Sequence, residues 1–128
     1  MKLELFAICE GAFNNNGRLT IVNTYDYVNV AEFPVKLSIG VAIKLRFSKE
    51  EYGEKTFVLN IVNREKNQTF AKMEAKTIVP QANEEVILNL ASNVQNFAFQ
   101  EPGMYDFNLT YEGNEIGSTS IHIRKQIS

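Results

Sequence analysis

Few side chains in this sequence could carry out catalysis. There is one histidine, His122, and one cysteine, Cys9, and a nucleophile needs a base within hydrogen-bonding reach. In the run STSIHIRK the neighbours Ile121 and Ile123 point to the opposite strand face, so we expect His122 to face solvent. Cys9 lies in an alternating run, where a small core residue is the expected role. We therefore predict no catalytic residue and a protein that is not an enzyme.

Motifs for metals and cofactors are also missing from the sequence. One Cys and one His cannot build a zinc site, and two aspartates, Asp26 and Asp106, form no calcium loop. Neither a dinucleotide fingerprint, a phosphate loop nor a G-x-S-x-G nucleophile motif occurs. Glu50, Glu51 and Glu54 cluster beside lysines, which is typical of a solvated loop. We predict no metal and no cofactor.

Aromatic side chains are a better indication of binding. Tyr25 and Tyr27, in NTYDYVNV, fall on one face of an extended run, and Phe70 alternates against its apolar neighbours. Aromatics on a sheet either contact ligands or pack across strands. Packing or a subunit contact is the favoured interpretation.

The first run, LELFAICEGAF, is apolar on both faces at its centre. Phe6 and Ile8 occupy one face and Leu5 and Ala7 the other. This pattern predicts a strand covered on both sides, as at a subunit contact. Phe6 and Ile8, together with the two tyrosines, form the predicted interaction surface.

Composition sets the class of protein. The chain has 128 residues, with 45% hydrophobic and 22% charged residues, a length and composition that predict a single globular domain over residues 1–128. Its net charge is −2 without a basic cluster, which argues against nucleic-acid binding. The apolar part of the N-terminal run is too short for a signal peptide, and no run has the length of a membrane span. We predict a cytoplasmic, bacterial protein with no membrane partner.

Alternation with period two dominates the rest of the chain. The longest case, VKLSIGVAIKLRFS, places seven apolar residues from Val35 to Phe47 on one face. Asn14-Asn15-Asn16-Gly17 predicts a hairpin between the first two runs, and Pro34 ends the second run, RLTIVNTYDYVNV. TFVLNIVN, TFAKMEAKTI, EEVILNLA and VQNFAF follow. About nine short strands and no helix predict an all-β, antiparallel β-sandwich, immunoglobulin-like or jelly-roll-like.

The segment EPGMYDFNLTYEGN has the pattern of a tyrosine corner. Pro102 and Gly103 suit a type II turn, after which Tyr105 and Phe107 alternate toward the core. In such a corner the Tyr ring packs inside and its hydroxyl bonds a nearby backbone group. We interpret Pro34, Pro102, Gly103, Tyr105 and Phe107 as structural anchors.

The chain as a whole resembles a family of small bacterial all-β proteins of unknown function. The resemblance rests on Glu10-Gly11 with Gly17-Arg18-Leu19, on Glu32-Phe33-Pro34 before the long strand, and on Pro102-Gly103-Met104-Tyr105-Asp106-Phe107 before Glu112-Gly113. The absence of Trp and the presence of Asn114 depart from the family's pattern. The resemblance implies a sandwich fold and no known activity.

Three functional hypotheses follow. The first is a non-enzymatic interaction or assembly module whose partner is an unknown protein or a second copy, through a strand edge or the aromatic face. The alternative is a small-ligand or glycan binder that uses exposed aromatics and Asn side chains. A hydrolase with carboxylates brought together in space is the least favoured.

Overall fold

The computed structural model describes residues 1–126 and contains strands without helices in that range. Nine strands follow one another: β1 Lys2–Asn15, β2 Arg18–Thr24, β3 Tyr27–Val30, β4 Val35–Phe47, β5 Gly53–Asn63, β6 Gln68–Val79, β7 Val86–Phe99, β8 Gly103–Tyr111 and β9 Asn114–Lys125. The predictions of an all-β fold and of about nine strands are confirmed. Residues 1–126 contain no helix that is long and apolar enough to cross a membrane.

The strands form two sheets that pack face to face. Sheet A has four strands in the order β2-β1-β4-β7, and sheet B has five in the order β3-β9-β8-β5-β6. The pairs are antiparallel except for β3 and β9, which run parallel. Phe47, Phe57, Phe99 and Phe107 are among the largest fully buried side chains of the core between the sheets. This is the predicted β-sandwich.

The long alternating run forms the central strand of sheet A, with the predicted bounds. Its inward residues Ile39, Leu45 and Phe47 are almost completely buried. Strand β4 pairs with β1 on one side and β7 on the other. The hydrophobic period therefore identified both the strand and its buried face.

The predicted Asn-Gly hairpin joins β1 to β2. Asn16 and Gly17 have φ values of 52° and 82°, as a two-residue turn of the favoured handedness requires. The register pairs Asn15 with Arg18 and Cys9 with Thr24. The antiparallel pairing of the two runs is confirmed.

Two predicted runs are divided differently in the structure. The run RLTIVNTYDYVNV is not one strand, because a bend at Asp26 ends its pairing in sheet A and carries the chain to sheet B as β3. Conversely, EEVILNLA and VQNFAF belong to one strand, β7. An irregularity in the pairing with β4 and a φ of 57° at Asn96 let β7 continue past the polar residues at its centre.

The β1–β2 hairpin crosses the outer face of sheet A. Strand β1 pairs with β4 as far as Cys9 and Gly40 and then leaves it. A Cβ atom on Gly40 would lie 2.8 Å from the backbone nitrogen of Ala12, so the backbone of β1 passes directly over this glycine. Gly40 therefore permits a close approach of two strands.

Candidate functional site

The histidine and the cysteine lie in different sheets. His122, on β9, is half-buried rather than open to solvent, because the ring of Tyr27 packs 5.7 Å from its own ring. Cys9, on β1, is fully buried, and its thiol donates to the carbonyl of Gly11 at 3.2 Å. Burial raises the pKa of the Cys9 thiol, so the group is held in the protonated form, which is the weaker nucleophile.

Acidic residues are spread over loops and outer faces. No three His, Cys, Asp or Glu side chains within residues 1–126 are grouped closely enough to hold a metal ion. In the polar connector, the Glu51 carboxylate accepts hydrogen bonds from the Met1 ammonium at 2.7 and 2.8 Å and from the Ser48 amide at 2.9 Å. These bonds lower the pKa of Glu51 to about 2, so the connector has a structural contact at this carboxylate.

The structure does not bring the four residues of the predicted interaction surface together. Ile8 is only 3% exposed and Phe6 is half-buried, both packed in the core. The Tyr25 hydroxyl donates to the Ser38 carbonyl at 2.8 Å beside sheet A. Tyr27 lies in sheet B, 63% exposed, with the Arg124 guanidinium 4.3 Å from its ring centroid. The bend at Asp26 separates the two tyrosines, which alternation alone had placed on one face.

The outer face of β1 is covered by this chain itself. Cys9, Ala12 and Ala42 form a second, small buried cluster. The partly buried residues that pack against it include Leu19 and Ile21 of the β1–β2 hairpin. A subunit contact is therefore not needed to explain why β1 is apolar on both faces.

The closing segment contains the hydrogen bond of a tyrosine corner. Tyr105 is buried, and its hydroxyl donates to the Glu101 carbonyl at 2.6 Å. Phe107 is fully buried in the core. Gly103 has a φ of 155°, far from the +80° of the predicted type II turn, and it already belongs to β8. The peptide bond before Pro34 is cis.

Phe70 packs its ring against core aromatics rather than pointing away from them, although it is still 42% exposed. The β5–β6 pairing shifts register between Ile61 and Val62, which adds one residue to β6 at Phe70 and reverses its side chain. Its ring makes edge contacts with Phe97, Phe99 and Tyr105 at centroid distances of 5.3–5.7 Å. This aromatic cluster joins β6 to β7 at one end of the molecule.

Strands β6 and β7 are edges on the same side of the sandwich, and they differ in charge. Within residues 1–126 each pairs with a neighbour on one side only. Strand β6 carries Lys72, Glu74 and Lys76, whereas β7 has no charged residue along its length. Charged side chains are a common protection against edge-to-edge pairing, so β7 is the less protected edge.

A cavity of about 390 Å³ opens between these two edges and is called the β6–β7 slot below. Its walls are inward side chains of five strands, including Val41, Phe57, Leu59, Met73 and Leu90. At its mouth lie Glu74 and Lys76 of β6 and Asn89 of β7. The slot is apolar inside and polar at its rim, as ligand pockets are.

Sequence reasoning missed both the β7 edge and the β6–β7 slot. A signal for the edge was present, since residues 86–100 lack any charge. The slot had no such signal, because its wall residues have the same alternation as the rest of the core. Only the pairing of the two sheets shows that β6 and β7 border one opening.

Comparison with protein families gives one match. The model of a family of unknown function, DUF6941, matches residues 4–124. No curated protein matches the chain. The family match agrees with the resemblance to an all-β family of unknown function.

Two solved structures are similar to this chain. Alkylpurine DNA glycosylase AlkC from Pseudomonas fluorescens, bound to DNA containing an abasic site analog, is similar at 12% identity with a TM-score of 0.54. The match covers 96% of this chain and 30% of the glycosylase, so the chain spans less than a third of that protein's length. An immunoglobulin-like protein from Pseudomonas aeruginosa is similar at 16% identity with a TM-score of 0.44, covering 96% and 95% of the two chains.

Proposed function

We propose that this chain, which belongs to the DUF6941 family of unknown function, is a non-enzymatic interaction module that self-associates through the edge of β7. The observation that carries the proposal is the lack of charge along this edge. Residues 86–100 contain no Asp, Glu, Lys or Arg. An exposed, uncharged strand edge is a template for pairing with another strand.

The absence of charge favours a second copy as the partner. When a strand pairs with its own copy about a two-fold axis, the same residues face each other in both directions. A charged residue near that axis would meet a like charge, which destabilises a cross-strand pair. Strand β7 has no such residue, so it is compatible with its own copy.

The regular part of β7 is long enough for such pairing, with one of its carbonyls, that of Asn89, already accepting from the Asn14 side chain at 2.9 Å. From Val86 to Val94 its partners in β4 follow in unbroken order from Phe47 to Ile39. Nine residues at about 3.4 Å each span roughly 30 Å, longer than a typical strand. Two copies joined there would form one continuous eight-stranded sheet from two four-stranded sheets A.

The same substitution on the two edges tests the proposal. Ile87 of β7 is 42% exposed, and Ile78 of β6 is 72% exposed, so a lysine at either site keeps its charge in water. Sedimentation velocity over a range of concentrations should show a reversible dimer for the wild type. Ile87→Lys should weaken the dimer by about tenfold or more, equivalent to about 1.4 kcal/mol, and Ile78→Lys should not.

Hydrogen exchange locates the contact independently of these variants. The backbone amides of β7 should gain protection as the protein concentration rises, while those of β6 keep theirs unchanged. A wild-type protein that stays monomeric at millimolar concentration contradicts the proposal. Equal effects of Ile87→Lys and Ile78→Lys would also contradict it.

Other properties of the chain stay predictions from its sequence. These are the cytoplasmic location, the bacterial origin, the single domain and the lack of a nucleic-acid or membrane partner. We do not propose DNA binding for this chain, although the similar glycosylase was solved with DNA. A net charge of −2 supplies no excess of positive charge for phosphates.

A further inference from the structure

We propose that the β6–β7 slot binds an unbranched aliphatic chain with an uncharged, hydrogen-bonding head group, such as a long-chain alcohol or amide. This inference is independent of the proposed self-association. It rests on the volume of the slot, on the chemistry of its walls and on the charges at its mouth.

The volume and the walls indicate an aliphatic ligand. A cavity of about 390 Å³ is within the size range of small-molecule sites. Its deep walls carry only carbon and thioether atoms on side chains such as Val41, Ile43, Leu59, Met73 and Leu109. Water held against such walls has few hydrogen-bond partners, so an apolar chain displaces it favourably.

The position of the slot favours a linear chain over a ring system. It lies between two facing edge strands, and the Phe70–Phe97 ring contact joins those strands at one end of the molecule. Four successive residues of each strand, 73–76 and 89–92, line the slot, so its opening runs along the two edges. An unbranched chain matches a narrow opening between two parallel walls.

The mouth of the slot selects an uncharged head group. Lys76 Nζ and Glu74 Oε1 lie 3.8 Å apart, and both side chains are more than half exposed. A carboxylate head would be attracted to Lys76 but repelled by Glu74. An ammonium head would be attracted to Glu74 but repelled by Lys76. Asn89 also lines the slot. Its Nδ2 donates to the Gly17 carbonyl at 2.6 Å, so its Oδ1 is the atom that can accept a hydrogen bond from a ligand. A neutral head that donates a hydrogen bond suits this rim.

Methionine methyl groups provide a direct readout. The sequence contains three methionines, Met1, Met73 and Met104, and of these only Met73 lines the slot. In a protein labelled with carbon-13 at the methionine methyl groups, decanol should shift the Met73 signal saturably and leave the other two unchanged. Across a series from hexanol upward, affinity should rise about fourfold per methylene until the slot is filled and then level off.

Two surface variants test the choice of head group. In wild type, decanol and decanamide should bind more tightly than decanoate or decylammonium. Glu74→Gln leaves Lys76 without its partner and should raise the affinity for decanoate several-fold, whereas Lys76→Gln should do so for decylammonium. Both sites are more than half exposed, so folding is preserved.

A filled slot gives the complementary test. Ala75→Phe places a large ring in the slot, which Ala75 lines on β6, and should abolish the shift of the Met73 signal by decanol. The control Ala31→Phe adds the same ring at an exposed position outside the slot and should leave that shift unchanged. Unsaturable shifts, equal shifts at all three methionines, or a chain-length series without a plateau would overturn the proposal. So would unchanged binding by Ala75→Phe, or tighter binding of decanoate than of decanol by the wild type. If Ala75→Phe fails to fold, the Glu74 and Lys76 variants still decide the outcome.

Discussion

The outer faces of the two sheets are built on different principles. On sheet A, the residues beneath the β1–β2 hairpin are small: Gly40 lies under the backbone of β1, and Ala42 and Cys9 are fully buried. On sheet B, the outer residues are polar and linked to one another across strands. Arg64 donates to both oxygens of Asp106, at 2.7 and 3.0 Å, and Ser120 donates to the same carboxylate at 2.6 Å.

The difference shows what an outward position in a strand means. Period-two alternation tells which residues share a face, but not whether that face meets water. Small residues on an outward face indicate that another backbone lies on it, whereas long polar residues indicate solvent. We therefore expect substitutions on the outer face of sheet A to cost more stability than comparable ones on sheet B.

The largest expected effect is at Gly40. An added Cβ would lie 2.8–2.9 Å from backbone atoms of Gly11 and Ala12, and backbone cannot rotate away as a side chain can. Gly40→Ala should lower the free energy of unfolding by about 3 kcal/mol, measured by urea denaturation. The control is Gly117→Ala on β9, which faces core side chains and no backbone. Its Cβ would lie 2.6 Å from the end of the flexible Leu3 side chain and 3.3 Å from the Phe6 ring, and the substitution should cost about 1 kcal/mol. Equal losses would contradict this account of Gly40.

The next effect concerns the attachment of the hairpin to sheet A. The Asn93 side chain accepts from the Ala12 amide at 2.9 Å and donates to the Ala12 carbonyl at 2.7 Å. Asn93→Ala removes both bonds from partly buried backbone groups and should cost about 2 kcal/mol. Amide exchange in β2 should accelerate more than in β8.

The matched control for Asn93 lies on sheet B. Asn108 accepts one hydrogen bond, from the Ser118 hydroxyl at 2.7 Å, and the pair is exposed. Asn108→Ala should therefore cost no more than about 0.5 kcal/mol, because water replaces the lost partner. A larger loss at Asn108 than at Asn93 would reverse the comparison between the two faces.

A smaller effect is expected at the tyrosine corner, on the inner side of sheet B. Tyr105→Phe keeps the buried ring and removes only the hydroxyl that donates to the Glu101 carbonyl. The loss should be about 1 kcal/mol, since one hydrogen bond to a partly buried carbonyl is removed. Unchanged stability together with weakened dimerisation would instead assign Tyr105 to an interaction surface.

Much of the fold was predictable from the residues themselves. The period of VKLSIGVAIKLRFS identified β4 and its buried face, and Asn16-Gly17 identified the first hairpin, because both signals are local. The bend at Asp26 was not predictable in this way. The run from Arg18 to Val30 keeps its alternation through the bend, and only long-range pairing sends its second half to sheet B.

The candidate sites were less predictable than the fold. The uncharged β7 edge is visible in the sequence, but its edge position depends on strand order. The register shift at Phe70 reverses a side chain that alternation had placed outside. The β6–β7 slot depends on how two sheets meet, and no local pattern encodes that distance.

The smallest expected effect is the acid dependence of the polar network on sheet B. Hydrogen bonds from Arg64 hold the pKa of the Asp106 carboxyl below its ordinary 3.8. The pair therefore stabilises the fold above that value, and the contribution disappears as the pH falls through the lowered pKa. Because Arg64 is 54% exposed, Asp106→Asn should cost only about 0.5 kcal/mol at pH 7. In urea denaturation the difference in the free energy of unfolding between variant and wild type should vanish in stronger acid, where the wild-type Asp106 carboxyl is protonated and therefore as neutral as the amide that replaces it.

A control variant, Glu74→Gln, removes a looser pair at 3.8 Å and should show no measurable loss at pH 7. A deficit for Asp106→Asn that grows on acidification, or that exceeds the deficit of Asn93→Ala, would contradict the view that the outer face of sheet B is a solvated surface.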